Sequence, residues 1–256
     1  MYLNIGWKNR FEVKPGTWVY EPTLESKKYG RELITQIRKK WKAPEYYYHL
    51  RDGGHVKALE KHTANNFFAS LDIKDFFGSI SRTRVTRTLK PLFGYDIARK
   101  LAKLSSVKND GSKAHSHSIP YGYVQSPILA SICLHKSTFG SELDSCFNDQ
   151  NVTISVYVDD IVISSNDKKL LKHWCERLKN AAKRSKFTLN ALKESPADST
   201  VVAFNIEVTH NSMVITKERF KLLYEAYQNS QSIMQRKGIG GYVGTVNKSQ
   251  ARLLDL

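Results

Sequence analysis

Two acidic sites stand out in an otherwise basic chain. Asp72 lies in the apolar run Phe67 to Ile73, and Asp159-Asp160 separates two β-rich runs, Val152 to Val158 and Ile161 to Ser165. A carboxylate where burial is expected is costly unless it is neutralised, and a divalent cation neutralises it well. Mg²⁺ takes one or two carboxylates and keeps positions for phosphate oxygens. Two such ions about 3.5–4 Å apart can clamp the attacking and leaving oxygens of a phosphoryl transfer. Each site also has an ordinary reading. Asp-Asp is common turn chemistry, and Asp after a strand often caps a helix. A regular strand would send Asp159 and Asp160 to opposite faces, so the turn must distort if both are to reach one site.

The elements that must position these acids follow from the periodicity. Leu33, Ile34, Ile37 and Trp41 mark one helix face. Tyr46 to Leu50 and Val56 to Leu59 flank the turn signal Arg51-Asp52-Gly53-Gly54-His55, which predicts a β-hairpin. Ser81 to Leu92 and Asp96 to Val107 read as helices, and Asn109 to Ser118 as a loop or hairpin. Ser126-Pro127 is a helix start, and apolar residues from Ile128 to Phe147 at three-and-four spacing predict one long helix. A further helix begins at Asn166-Asp167. Val201 to Val208 and Met213 to Thr216 read as strands around a His210-Asn211-Ser212 turn. Lys217 to Gln235 reads as a helix that the Gly238–Gly241 segment breaks. The pattern predicts an α+β fold, a sheet with helices on one face.

Composition narrows the function. The 256 residues carry 40 Lys+Arg against 24 Asp+Glu, a net +16, with 11% aromatics. That excludes a disordered chain and favours nucleic acid as partner. No apolar stretch is long enough for a membrane span, Met1 to Arg10 has no apolar leader core, and Cys133, Cys146 and Cys175 have no paired metal spacing. A cytoplasmic protein without membrane contact is expected. His115-x-His117 has no further ligand in register.

Taken in order, the motifs resemble the reverse transcriptases, specifically the bacterial retron, group II intron-like and antiphage-defence types. Leu71-Asp72-Ile73-Lys74-Asp75-Phe76-Phe77-Gly78-Ser79-Ile80 resembles their first palm motif. Ile119-Pro120-Tyr121-Gly122-Tyr123-Val124-Gln125-Ser126-Pro127-Ile128-Leu129-Ala130 resembles the L-P-Q-G-x-x-x-S-P-x-L-A motif, with Tyr121 where Gln is usual. Tyr157-Val158-Asp159-Asp160 is similar to the Y-x-D-D box, and Phe187 to Lys193 to the L-N-x-x-K element. Phe204 to Val208 falls where a primer-gripping hairpin is expected. Four motifs in order are a specific signal, whereas one Y-x-D-D would be weak.

The resemblance implies a right-hand polymerase: palm and fingers, an antiparallel palm sheet backed by helices, and a reduced thumb. The implied division is residues 1–66 as N-terminal and fingers segment, 67–216 as palm with inserted fingers helices at about 81–120, and 217–256 as a short thumb-like segment. It implies that Asp72, Asp159 and Asp160 are catalytic and hold two Mg²⁺ ions, Mn²⁺ being a substitute, with the Ile73 carbonyl as a further ligand. Phe77 would close against the sugar 2′ carbon and select deoxynucleotides; core packing is the ordinary reading. Gly122 would let backbone approach the nucleotide, Tyr121 would stack on base or sugar, and Lys193 would protonate or neutralise the leaving pyrophosphate. Arg51 and Lys57, on the expected hairpin, would hold the triphosphate. Each of these basic residues could equally be solvated surface.

The function implied is RNA-directed DNA polymerase: dNTPs added to a DNA or RNA primer on an RNA template, supplied by a dedicated non-coding RNA in an antiphage or retron-like system. A partner protein or homo-oligomer would compensate for the reduced thumb. Two alternatives stay open: template-independent or protein-primed synthesis, with Tyr46-Tyr47-Tyr48 as possible priming hydroxyls, and a non-catalytic RNA-binding subunit.

Overall fold

The structure is a computed structural model that describes residues 6–109 and 115–255. Its centre is a four-stranded sheet in the order β6-β7-β3-β8, built from β3 (Phe67–Asp72), β6 (Val152–Tyr157), β7 (Asp160–Ser165) and β8 (Ser195–Asp198). Every pairing in it is antiparallel. Before β3 come β1 (Trp7–Lys14), β2 (Thr17–Pro22), α1 (Leu24–Lys40) and α2 (Gly54–Glu60). Between β3 and β6 lie α3 (Arg82–Phe93), α4 (Tyr95–Leu104), the two-residue strands β4 (Val107–Lys108) and β5 (His117–Ser118), α5 (Ser126–His135) and α6 (Thr138–Phe147). Then α7 (Lys168–Arg184) precedes β8. A second sheet follows, β9 (Val201–Ala203), β10 (Ile206–Thr209) and β11 (Ser212–Ile215), and then α8 (Lys217–Asn229), α9 (Ile233–Val246) and α10 (Lys248–Arg252).

Side-chain alternation gives the main sheet two unlike faces. Ala69, Leu71, Ile73, Ile161 and Ile163 point into the larger core, where α1 and α3 to α7 cover them. Phe68, Ser70 and Asp72 point the other way, opposite Ser164, Val162 and Asp160 in the register. Phe68 and Val162 on that face meet a smaller core formed by the second sheet, Leu59 of α2, and Val243 and Val246 of α9.

Several sequence expectations are corrected. The Arg51 to His55 turn does not join two strands: Tyr48–Leu50 is a single 3₁₀ turn and Gly54–Glu60 is helical. Gly53, at φ +96°, gives the chain its entry into α2. The hairpin of this region is β1–β2 instead. The long helix from Ser126 is two helices. Ser137 caps the second by accepting the Gly140 N–H at 3.3 Å. A Cβ on Gly140 would stand 2.3 Å from the His135 carbonyl oxygen, so only glycine allows so close a junction. The run Val201 to Val208 is two strands, broken by Phe204 and Asn205 at positive φ. The Gly238–Gly241 segment does not end a helix but lies inside α9, where a Cβ on Gly240 would lie 3.9 Å from the Tyr227 ring. Residues 110–114 of the Asn109 to Ser118 loop lie outside the described residues; its ends pair as β4 and β5.

One polar network lies buried on the acid-bearing face. His62 is fully buried, with Nδ1 2.7 Å from Ser164 Oγ and Nε2 2.8 Å from Ser155 Oγ. Asn65 Nδ2 donates to the same Ser164 Oγ at 2.8 Å, so His62 is held between two serine hydroxyls, each able to donate or accept. Burial pushes His62 down to about 3. Below its ordinary value the unfolded chain therefore binds more protons at this residue than the folded one. Its contribution is complete above about pH 6.5 and falls with pH, by up to about 1.4 kcal/mol per pH unit. Asp160, whose pKa is raised, works in the opposite direction, so the comparison must be between proteins. Urea unfolding at pH 7 and pH 5 should show a smaller acid destabilisation in His62→Gln than in the wild type. An identical pH dependence in the two proteins contradicts the assignment.

Candidate active site

Asp72 ends β3 and Asp160 begins β7, and the ladder makes them direct partners. They therefore share the polar face. Tyr157 pairs with Asp160, leaving Val158 and Asp159 as a two-residue hairpin turn. Val158 has φ +60°, a conformation β-branched residues rarely take. This is the distortion that the paired acids required. The Asp159 carbonyl accepts the Ile73 N–H at 3.0 Å, tying the turn back to the end of β3. Asp72 is 4% exposed, and Asp159 and Asp160 are half-buried.

The electrostatics follow from this crowding. Burial first, then the charges of Asp159 and Asp72, push Asp160 up to about 7 against the opposing pull of Lys193. Asp159 is raised chiefly by burial, with Asp72 adding to it and Lys193 and Lys14 opposing. Two groups already partner Asp72: Asn190 Nδ2 donates to Oδ1 at 3.0 Å and Lys193 Nζ to Oδ2 at 3.2 Å. Burial alone would lower the Lys193 ammonium, but its bond to Asp72 and the three acidic charges outweigh that and raise it. The segment is held by the Asn190 N–H donating to the Asp72 carbonyl at 2.8 Å.

Residues 17–205 match the family model described as reverse transcriptase (RNA-dependent DNA polymerase). The chain belongs to the reverse transcriptase family. Its fold is similar to that of telomerase from Candida albicans, at TM-score 0.54 and 11% identity, over 90% of this chain and 47% of that one. A foamy viral protease-reverse transcriptase aligns at TM-score 0.49 and 16% identity, over 91% of this chain and 34% of that one. The chain thus spans less than half the length of these two solved proteins.

Within this reverse transcriptase domain the expected site residues divide. Phe77 is nearly buried, stacked on Phe76 at 5.7 Å and meeting Tyr121 edge-on at 4.8 Å. Phe76 is the core member of the pair, packing on Phe187. The Tyr121 hydroxyl is raised by burial and then by the charges of Asp75, Asp159 and Asp72, so the neutral phenol faces the acids. Gln125 is buried, its Nε2 3.3 Å from Ser105 Oγ. Gly122, at φ +97°, sits where a Cβ would lie 2.2 Å from the Tyr20 carbonyl oxygen. The close approach it permits is that of β2, whose Tyr20 N–H donates to the Tyr121 carbonyl at 2.9 Å.

Arg51 and Lys57 do not join the acids in this way. Arg51 donates to the Glu45 carbonyl at 2.6 Å and lies over Tyr48, and Lys57 is an exposed residue of α2. The tyrosine run is also a correction. Tyr46 donates to Asp144 at 2.6 Å, and Tyr46, Tyr47 and Tyr48 are all buried, so none offers a priming hydroxyl. Among the described residues no group of three or more His, Cys, Asp or Glu side chains already stands ready for a metal; Asp72 is partnered by Lys193 and Asn190 instead.

Three residues were missed by sequence reasoning. Lys14, at the end of β1, is close enough for its charge to stabilise the Asp159 carboxylate. Pro15-Gly16 between Phe11-Glu12-Val13 and Trp18-Val19-Tyr20 was the available signal for its hairpin. Asn190 lay within a quoted motif. His49 had no sequence signal: its Nδ1 accepts the Val158 N–H at 2.9 Å. The ring proton therefore sits on Nε2, 2.6 Å from Ser131 Oγ, and that hydroxyl donates to the Pro127 carbonyl at 2.8 Å. Burial pushes His49 down to about 4, so it stays a neutral acceptor near pH 7.

The strained turn is thus fastened to α5 through one imidazole. His49→Ala leaves the Val158 N–H without its acceptor, a loss of about 1–3 kcal/mol. dNTP incorporation at saturating substrate should fall about two- to tenfold if about half of that loss appears at the reacting geometry, with a smaller fall in His49→Asn. Unchanged turnover in His49→Ala contradicts the role.

Proposed function

We propose that this chain is an RNA-directed DNA polymerase that adds dNTPs to a primer 3′-hydroxyl by two-metal nucleotidyl transfer. The observation that carries the reading is the ladder pairing of Asp72 with Asp160, with Asp159 in the adjoining turn. Half-buried carboxylates that raise one another's pKa are a site short of positive charge. Hard oxygen donors at the edge of a sheet suit Mg²⁺ or Mn²⁺, which binds through one or two carboxylates together with substrate phosphates. Asp72, Asp159 and Asp160, with the Ile73 carbonyl, are the residues that would hold it. Once bound, the ions would neutralise the triphosphate and favour deprotonation of the primer hydroxyl.

The chain's own residues have separate tasks. Lys193 leaves Asp72 for the triphosphate, where its ammonium offsets charge developing on pyrophosphate. Lys14, at the tip of β1–β2, is the residue we assign to the triphosphate in place of Arg51 and Lys57. The Phe77 and Tyr121 rings form one wall against the sugar and base. The Phe204-Asn205 turn, whose phenyl ring lies 5.3 Å from that of Tyr157, lies beside the catalytic hairpin and suits a primer contact. In this reading residues 1–66 are N-terminal and fingers segment, 67–216 palm and 217–256 a thumb-like segment. The RNA template, from a partner non-coding RNA in a retron-like or antiphage setting, rests on the motif resemblance.

Tyr121 favours one second reading, template-independent addition, because a phenol replaces the usual amide beside Phe77. Incorporation that persists after RNase treatment, with product of random composition, supports it. For the main reading, Asp159→Asn should abolish Mg²⁺-dependent dNTP incorporation while melting temperature and RNA binding stay near wild type. Wild-type incorporation by this variant contradicts the catalytic assignment.

A further inference from the structure

Away from the acids, a cleft of about 780 Å³ opens among the N-terminal half of α3, the junction of α5 and α6, and the C-terminus of α7. None of Asp72, Asp159 or Asp160 lines it. Five cations do: Arg84, Arg87, Lys136, Arg184 and Lys186. Asp144 is the one carboxylate in the lining, and it already serves Tyr46 and His135. Arg184 reaches Glu142 at 3.8 Å, while no ion pair engages Arg87, Lys136 or Lys186 among the described residues.

Arg84 is built into this wall. Its Nη2 donates to the Ser185 carbonyl and its guanidinium lies 4.5 Å over the Phe187 ring. Its Nη1 is buried without a hydrogen-bond partner. An unpartnered buried guanidinium nitrogen beside several exposed cations leaves a concave surface with uncompensated positive charge, and concavity concentrates that field. The rest of the lining is largely hydroxyls, among them Thr83, Ser137 and Thr138, and it contains no Phe, Tyr or Trp. Hydroxyls and cations contact phosphate and sugar oxygens, whereas bases need stacking surfaces or edge contacts.

We propose that this cleft binds the phosphodiester backbone of an RNA strand, independently of sequence and away from the reacting centre. The ligand is a strand rather than a nucleotide, because the cations are spread over three elements and no Phe, Tyr or Trp lines the cleft to stack on a base. Such a contact would hold a template-bearing RNA to the helical layer while its copied portion lies at the acids. This goes beyond the polymerase reading and is tested by binding rather than synthesis.

Arg87 and Lys136 are both exposed, so reversing them should leave the fold intact. Binding of a labelled single-stranded RNA is measured against salt for the wild type, for Arg87→Glu/Lys136→Glu, and for a charge-matched control on α1, Arg31→Glu/Lys39→Glu. The cleft variant should bind about tenfold or more weakly near physiological salt, and the slope of log K against log[salt] should fall by about 2. The control should keep a slope near that of the wild type. An unchanged slope in the cleft variant, or an equal loss in the control, overturns the proposal. So does a cleft that binds free dNTP or pyrophosphate as tightly as RNA. Should the reversal lower the melting temperature, Arg87→Gln/Lys136→Gln gives the same slope test with less charge change.

Discussion

Like charges must be held together for this site to exist. Antiparallel pairing of β3 with β7 sets Asp72 opposite Asp160, and the two-residue turn adds Asp159. Direct opposition of like charges across a ladder is destabilising, and partial burial makes it worse. The surroundings answer that repulsion. Lys193 and Asn190 hold Asp72, Lys14 reaches toward Asp159, and the Ile73 N–H fixes the turn. On the proposed reading, divalent cations would relieve this repulsion and a triphosphate would take Lys193 in exchange.

The same alternation that aligns the acids separates the two halves of the core. One face of the sheet is aliphatic and rests on helices. The other carries the acids at one end and the His62–Ser155–Ser164 network further along, and meets the second sheet at Phe68 and Val162. Tyr157 bridges these regions, with ring contacts to His49, to His55 and to Phe204, and His55 in turn meets Tyr242 of α9. A ring cluster thus joins the hairpin that carries Asp159 and Asp160 to the β9–β10 turn and to the C-terminal helices.

What was legible in the sequence was local. The apolar run ending at Asp72, the β-rich runs flanking Asp159-Asp160, the Ser126-Pro127 helix start and the helix that begins at Asn166-Asp167 depend on neighbouring residues, and the structure has them. What was misread depended on contacts distant in sequence. Gly53-Gly54 between apolar runs looks like a hairpin turn, yet Ala58 and Leu59 are buried as helix residues. A glycine run reads as a break, yet α9 packs against α8 through it. That Gly122 admits the Tyr20 carbonyl, from more than a hundred residues earlier, is a contact no local pattern shows. His49 could not have been found, because its role exists only once α5 and the hairpin turn converge on it.

On the proposed reading, Asp72, Asp159 and Asp160 hold divalent cations against a bound nucleotide. A crystal grown with Mn²⁺ and a non-hydrolysable dNTP, with anomalous scattering used to locate the metal, tests this most directly. Mn²⁺ should be bound to Asp72 and to one or both acids of the hairpin, with Lys193 moved from Asp72 to the phosphates. Mn²⁺ bound elsewhere, with Lys193 still on Asp72 beside an ordered nucleotide, would contradict it.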